Sequence, residues 1–343
     1  MSTFSGAFTR SCGATIHYSI RGRVRDPAVL LLAPGGMRSC IAAWEAQPYD
    51  PWRSLSRPNA GPFRVIAMDQ RNGAGRSVGP MATGWDTYRD DQLALLDHLE
   101  IEQCMLVGSC IGPSFIFNLI KAQPSRFRAA VLLQPIGLAY HTTEAEEWPG
   151  LNHFASQHWF GSWAQAILAN QLAERWELSD LYKALFAGRT FVFTATRTEV
   201  ANMSTPLIVF AGVDSNHPTQ TARDIVNLAP HAILVEGWRM MPGLAEVETR
   251  VHDFLKAHVA PTVSSPGQNP KHSTSEPNQI VDSATPEEGS KVRIVGLQQR
   301  RDLNGRLGVV VGPFSGGRLR VHLGNAEYVR LTPEHLVDEG WEL

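Results

Sequence analysis

Short unbroken apolar runs punctuate the first 260 residues. They are Ala28–Leu32, Phe63–Met68 (broken once by Arg64), Cys104–Val107, Ala129–Leu133, Pro206–Ala211 and Ala232–Val235. Runs of this length, bounded by turn residues, read as strands; the unbroken Ala28–Leu32 marks one covered on both faces, and Cys104–Val107 reads as buried. Ala14–Ser19 instead alternates apolar and polar positions and predicts a first, half-buried strand. Between the runs the period changes. Tyr88–Leu99, with Leu93, Leu95, Leu96 and Leu99 on its apolar side, predicts an amphipathic helix. Phe115–Ile120, Thr219–Leu228 and Val247–Val259 predict further helices. Strands alternating with helices imply an α/β fold with a parallel, doubly wound sheet.

The rhythm breaks twice. From about 139 to 203 the signals are mostly helical and four tryptophans appear: Trp148, Trp159, Trp163 and Trp176. They read either as the core of a helical subdomain or as the inner face of a lid over the strand ends. From 261 to 290, Pro261, Pro266, Pro270, Pro277 and Pro286 stand among Ser, Thr, Asn and Gln, the composition of a disordered linker. Beyond it, 291–343 predicts short strands at Val292–Val295, Gly308–Val311, Leu319–Leu323 and Tyr328–Leu331. Turns fall at Leu303–Gly305 and Gly316–Gly317. A unit this small made of short strands suggests a small barrel. The domains expected are therefore 1–260, a linker over 261–290, and 291–343.

With 343 residues and 43% hydrophobic content, the chain can build one large core and one small one. A net charge of −2 gives no reason to expect nucleic acid or an anionic membrane as partner. Cys12, Cys40, Cys104 and Cys110 do not form a disulfide framework in a chain of this length. Met1–Cys12 has no signal-peptide run, and no stretch approaches a membrane span, so a soluble cytoplasmic setting is expected.

The chemistry gathers at Gly108-Ser109-Cys110-Ile111-Gly112, between a predicted strand and a predicted helix. Paired glycines let the chain turn sharply there and leave the middle residue strained and exposed. A helix N-terminus beneath it favours negative charge, which suits a thiolate. The competing reading of Cys110 is an ordinary buried thiol.

Four motifs in order resemble the α/β-hydrolase superfamily over roughly residues 10 to 260. Pro34-Gly35-Gly36 resembles its oxyanion loop. Asp69-Gln70-Arg71-Asn72-Gly73-Ala74-Gly75-Arg76-Ser77 resembles its Asp-x-Arg-Gly-x-Gly-x-Ser loop with one residue inserted. Gly108–Gly112 takes the nucleophile elbow, with sulfur where serine is usual. Gly212-Val213-Asp214-Ser215-Asn216-His217-Pro218 resembles the acid loop, with Pro four residues after Asp. The resemblance implies Cys110 as nucleophile, Asp214 as triad acid, and the backbone N–H groups of Ile111 and Gly36 as oxyanion hole. The C-terminal unit resembles an SH3-like barrel of the KOW type through Leu303–Gly312. Such barrels bind proteins, peptides or RNA. Its eight Lys/Arg against six Asp/Glu are too balanced to argue for RNA, which leaves a protein or peptide partner or a passive role.

The chain departs from the family at the histidine. The segment after the last strand, where the family carries it, reads Glu236-Gly237-Trp238-Arg239-Met240-Met241-Pro242, with Met240 in its place. His252 and His258 fall in the closing helix and read as surface residues. His217, on the acid loop, is then the most economical base, with a surface loop histidine as its bland alternative. Arg239 is a candidate for binding a substrate carboxylate or for stabilising the thiolate, or is simply a solvated charge. A thiol needs a base less than a hydroxyl does, so a cysteine here and the missing histidine are compatible. Two functions stay open. One is a hydrolase or acyl-transfer enzyme acting on a small ester, thioester or lactone through Cys110. The other is a non-catalytic ligand-binding protein on a degraded hydrolase scaffold. Neither calls for a metal or an organic cofactor.

Overall fold

A computed structural model describes residues 3–57, 61–137, 150–186, 190–240, 242–259, 291–297, 301–314, 318–323 and 328–338. The chain divides into two compact units, Met1–His258 and Val259–Leu343. The linker expected over 261–290, the first part of the interval expected as a lid, and the turn at Gly316–Gly317 lie outside the described residues.

The first unit is built on the strands β1 (Phe4–Thr9), β2 (Thr15–Arg21), β3 (Ala28–Leu32), β4 (Arg64–Met68), β5 (Cys104–Ser109), β6 (Phe127–Leu133), β7 (Leu207–Phe210) and β8 (Ala232–Val235). They form one eight-stranded sheet in the order β1-β2-β4-β3-β5-β6-β7-β8. From β4 onward in that order every pairing is parallel, while β1 and β2 pair antiparallel at one end. The helices are α1 (Pro51–Ser54), α2 (Trp85–His98), α3 (Gly112–Ala122), α4 (Gly150–Ala169), α5 (Arg175–Phe186), α6 (Arg197–Ala201), α7 (Thr219–Leu228) and α8 (Gly243–Ala257). The three helices α4, α5 and α6 fill the interval between β6 and β7. Within it Trp163 is buried, whereas Trp176 is 66% exposed.

The central strands β3 and β4 are buried at every position, as their apolar sequences require. The expected first strand, Ala14–Ser19, is in fact the second. The strand before it, β1, was not foreseen. Its sequence FSGAFT is short, mostly exposed and ends the sheet, where little burial pressure selects an apolar run.

The closing helix corrects the expectation for His252. It is buried, and its Nε2 lies 2.9 Å from Ser54 Oγ on α1, so it ties two helices together. His258 is half-buried, with Nδ1 2.8 Å from the Phe254 carbonyl. Burial holds the His252 imidazole below its usual pKa, and Lys256 and Arg57 push the same way against Glu248 and Asp253. A group whose folded pKa is depressed binds its proton more readily when unfolded. Its contribution to stability is therefore complete above about pH 6.5 and is lost as the pH falls below that value. The melting temperature should drop on going from pH 7.5 to 5.5, and His252→Gln should flatten that drop. An equal slope in the variant would show that His252 does not contribute to it.

The second unit is a five-stranded antiparallel sheet in the order β12-β11-β10-β9-β13. Its strands are β9 (Lys291–Ile294), β10 (Leu307–Phe314), β11 (Arg318–His322), β12 (Tyr328–Leu331) and β13 (Leu336–Asp338). Val292, Ile294, Leu303, Val310, Leu319, Val321, Leu331 and Leu336 form its core. Four of the strands match the expected runs. The fifth, β13, is too short to carry a pattern of its own.

Candidate active site

The elbow forms where β5 hands over to α3. Cys110 adopts φ 59, a left-handed conformation that costs a non-glycine residue free energy. Two backbone bonds fix it there: its N–H donates to the Leu133 carbonyl (3.1 Å), and its carbonyl accepts from Ile136 N–H (3.2 Å). Both contacts are made with the chain at the end of β6. The flanking glycines are required sterically. A side chain at Gly112 would collide with the Leu32 carbonyl of β3, and one at Gly108 would collide with the Gly112 backbone.

The acid loop, between β7 and α7, carries both Asp214 and His217. His217 Nδ1 lies 2.8 Å from Asp214 Oδ1, which also accepts the backbone N–H groups of Asn216 and His217 at 3.0 Å. The loop folds back so closely that a side chain at Gly212 would meet the Cβ and carbonyl of His217. Thr219 Oγ1 closes the turn by donating to the Gly212 carbonyl (2.7 Å). With Nδ1 engaged by the carboxylate, the nitrogen left for Cys110 is Nε2. That atom is buried and has no hydrogen-bond partner, and the neighbouring Cys110 raises the imidazole pKa. Hydrogen bonds between a nucleophile and its base are often misaligned in free enzymes and tighten with substrate.

The electrostatics of the pair agree with each other. Burial alone would raise the Cys110 thiol, but His217 and the backbone N–H groups of Gly35 and Ile111 outweigh it and hold the thiol below its usual range. Burial likewise pushes His217 down, and Cys110 and Asp214 outweigh it and raise the imidazole. A lowered thiol facing a raised imidazole favours the thiolate–imidazolium form. The other cysteines differ. Burial raises Cys40, and it pushes the Cys104 thiol up to about 12. Exposed Cys12 is, like Cys110, held below its usual value: the backbone at Ala14 lowers it most, burial opposes, and Arg71 and Arg10 add smaller lowering effects.

The structure places the residues singled out in the sequence as follows. Cys110, His217 and Asp214 converge, and Ile111 presents its N–H to the sulfur. Gly36 begins the 3₁₀ turn Gly36–Arg38 beside it. Gly35, whose N–H reaches the sulfur, was not foreseen, although adjacent glycines in the loop offered either amide. Arg239 is held by Asp214, its Nη1 3.2 Å from Oδ2. Met240, which the sequence reading sets in the place of the family's histidine, is 74% exposed. Among the described residues no cluster of three or more His, Cys, Asp and Glu is placed to hold a metal ion. Nor is any helix among them long and apolar enough to cross a membrane.

Two further loops are tied to this centre. Asp69, just after β4, accepts the N–H groups of Ile41 and Arg76 through its two oxygens, each at 2.9 Å, and so joins the loops after β3 and β4. The helix α4 is tied to both. Arg38 Nη2 donates to the Ser162 carbonyl (2.7 Å), and Trp163 Nε1 donates to the Asn72 carbonyl (2.7 Å). A hollow of about 830 Å³ lined by Asp97, Glu100, Gln123 and Arg126 lies at the amino ends of β5 and β6, away from this chemistry.

Known proteins carry the same architecture. A model of the α/β-hydrolase fold matches residues 29–207, just over half of the chain. The 2-hydroxymuconate semialdehyde hydrolase of Pseudomonas sp. strain CF600 is 27% identical over 237 residues, covering 62% of this chain and 83% of that protein. A serine hydrolase from the bacterium Cycloclasticus zankles shares 20% identity with a TM-score of 0.52, covering 75% of this chain and 99% of its own. A meta-cleavage product hydrolase from Pseudomonas fluorescens IP01 shares 16% identity with a TM-score of 0.52, covering 74% and 97%. A sheet with parallel strands from β4 to β8, an elbow between β5 and α3, an acid loop after β7 and the matching family model lead to one conclusion: the chain belongs to the α/β-hydrolase fold family.

Proposed function

We propose that this protein is a hydrolase or acyl-transfer enzyme that acts on a small ester, thioester or lactone, with Cys110 as nucleophile, His217 as base and Asp214 as the acid that orients it. The observation that carries the reading is His217, with Nδ1 on Asp214 and Nε2 left free on the side of Cys110. In this mechanism the thiolate attacks the substrate carbonyl carbon. The oxyanion that forms is taken by the N–H of Ile111 and by the Gly35–Gly36 loop, where amides are already directed at the sulfur. The imidazolium protonates the leaving group, and the neutral ring then accepts the proton of the nucleophile that releases the acyl group.

Arg239 fits a positioning role. By occupying Asp214 Oδ2 it leaves Oδ1 for the imidazole. The helices α4–α6 serve in this reading as a lid, and the C-terminal sheet as an SH3-like barrel that carries a protein or peptide partner. That a 27%-identical relative is a hydrolase of 2-hydroxymuconate semialdehyde supports hydrolysis as the reaction type.

The test is to mix the protein with p-nitrophenyl acetate, quench it in acid, and map the acyl group by peptide mass. An acetyl group on the Cys110 peptide is the expected result. Saturable ligand binding with no acyl-cysteine under any of several activated esters would instead establish a binding protein on this scaffold.

A further inference from the structure

A second polar residue stands at the elbow, and the mechanism above leaves it unused. Gln134 follows β6 directly and is 5% exposed. Its backbone is left-handed, with φ 42, and its N–H donates to the Phe210 carbonyl at 2.7 Å. Its side-chain Nε2 donates to Gln47 Oε1 at 3.3 Å, while its own Oε1 is buried without a partner. A strained backbone and an unpaired buried carbonyl are each unfavourable, and such features concentrate at functional sites.

The sheet order shows where this amide lies. Gln47 belongs to the loop after β3, just past the 3₁₀ turn Ile41–Ala46. In the sheet β5 lies between β3 and β6. Neighbouring strands are about 4.8 Å apart, so β3 and β6 are separated by roughly 10 Å. The hydrogen bond from Gln134 to Gln47 joins the end of β6 to the loop after β3, the two strands that flank β5. The backbone contacts of Cys110 with Leu133 and Ile136 bracket Gln134 from both sides and place it beside the nucleophile.

We infer that Gln134 holds the hydroxyl group, of water or of an alcohol co-substrate, that releases the acyl group from Cys110; this rests on the acyl-enzyme reading above. A hydroxyl both donates and accepts, so it satisfies the leftover atom of this amide whichever way the amide is turned. The step balances within the site. The hydroxyl oxygen forms a bond to the thioester carbonyl carbon, and its proton passes to His217 Nε2. The tetrahedral adduct collapses, the carbon–sulfur bond breaks, and Cys110 leaves as thiolate beside the imidazolium. Water yields a carboxylic acid and an alcohol yields an ester.

The inference is tested by pre-steady-state kinetics with p-nitrophenyl acetate on the full chain. Gln134→Met keeps side-chain length and removes the hydrogen-bonding atoms, and Gln134→Glu keeps an acceptor. In Gln134→Met the burst on Cys110 should stay within about twofold of wild type while steady-state turnover falls ~10- to 100-fold. Because only acyl release is slowed, kcat and KM should fall together and kcat/KM should hold. Gln134→Glu should recover most of the turnover. Added ethanol separates the two sources. Ethyl acetate outpacing acetate identifies an alcohol acceptor, and acetate alone identifies water. A burst slowed as much as turnover, with kcat/KM reduced, would make Gln134 a structural prop of the elbow and overturn the inference. Unchanged turnover in Gln134→Met would overturn it as well. A wild type without any burst would overturn the acyl-enzyme reading itself.

Discussion

His217→Ala should slow turnover of an activated ester by ~10²- to 10⁴-fold, the usual cost of removing a general base. The same change should move the alkylation of Cys110 by iodoacetamide to higher pH. The sign follows from the site. Burial works to raise the Cys110 thiol, and His217 is the strongest influence lowering it. Without the imidazole, burial faces only the backbone N–H groups of Gly35 and Ile111, so the thiolate appears later in a pH titration. The two effects separate cleanly in one experiment. Above the displaced thiol midpoint, His217→Ala should still show a burst of acyl-enzyme, because a thiolate needs no base to attack. Steady turnover should stay slow, because water still lacks one. Cys110→Ala should show neither burst nor turnover. An unchanged rate and an unchanged alkylation curve in His217→Ala would remove this residue from the mechanism.

Asp91→Ala should strongly destabilise the sheet domain. Asp91 lies on α2 and is fully buried. Arg71, just after β4, clasps it with two bonds, Nε to Oδ2 at 2.8 Å and Nη2 to Oδ1 at 2.6 Å. Arg10 adds a third at 2.6 Å. Removing the carboxylate leaves the Arg71 guanidinium, itself 3% exposed, without its counter-charge. Breaking a buried pair in this way typically costs about 3–5 kcal/mol. Urea unfolding followed by tryptophan fluorescence should show the midpoint moving down by the equivalent amount. Replacing both partners, as in Arg71→Met with Asp91→Leu, should cost much less than Asp91→Ala alone, because no fully buried charge is then stranded: Arg10, 23% exposed, can still reach water. A loss below 1 kcal/mol in Asp91→Ala would show that water reaches the guanidinium.

The buried strands were legible because parallel strands leave unbroken apolar runs. The span of β3, buried at every position, coincides with its run; the edge strand β8, the antiparallel β12 and the helix α7 also coincide with the spans read from the sequence. The inner face of α2 was only half legible. Leu95 and Leu96 are buried as their spacing suggests, but so are Asp91 and Gln92. Helical periodicity assigns polar residues to water and cannot register that Arg71 and Arg10 wait inside. The same blindness hid His252, whose partner Ser54 lies far away along the chain. At the site, Cys110 was legible from its two glycines and His217 from its place beside Asp214. The pairing of Arg239 with Asp214 was not, because it depends on how the ends of β7 and β8 sit side by side.

The placement of Asp214 and His217, the proposed acid and base, on one loop has a mechanical consequence. The strand β8 ends the sheet and is paired only with β7, so it has less to hold it than the strands inside the sheet. A base carried on the turn after such a strand would drift from its acid whenever the edge frays. Here the partners are three residues apart on a turn closed by Thr219 and Gly212, anchored to the better-held β7. Fraying of β8 would carry away Arg239 and leave the imidazole and its carboxylate in register, so that loosening of the edge weakens the His217–Asp214 pair rather than dismantling it.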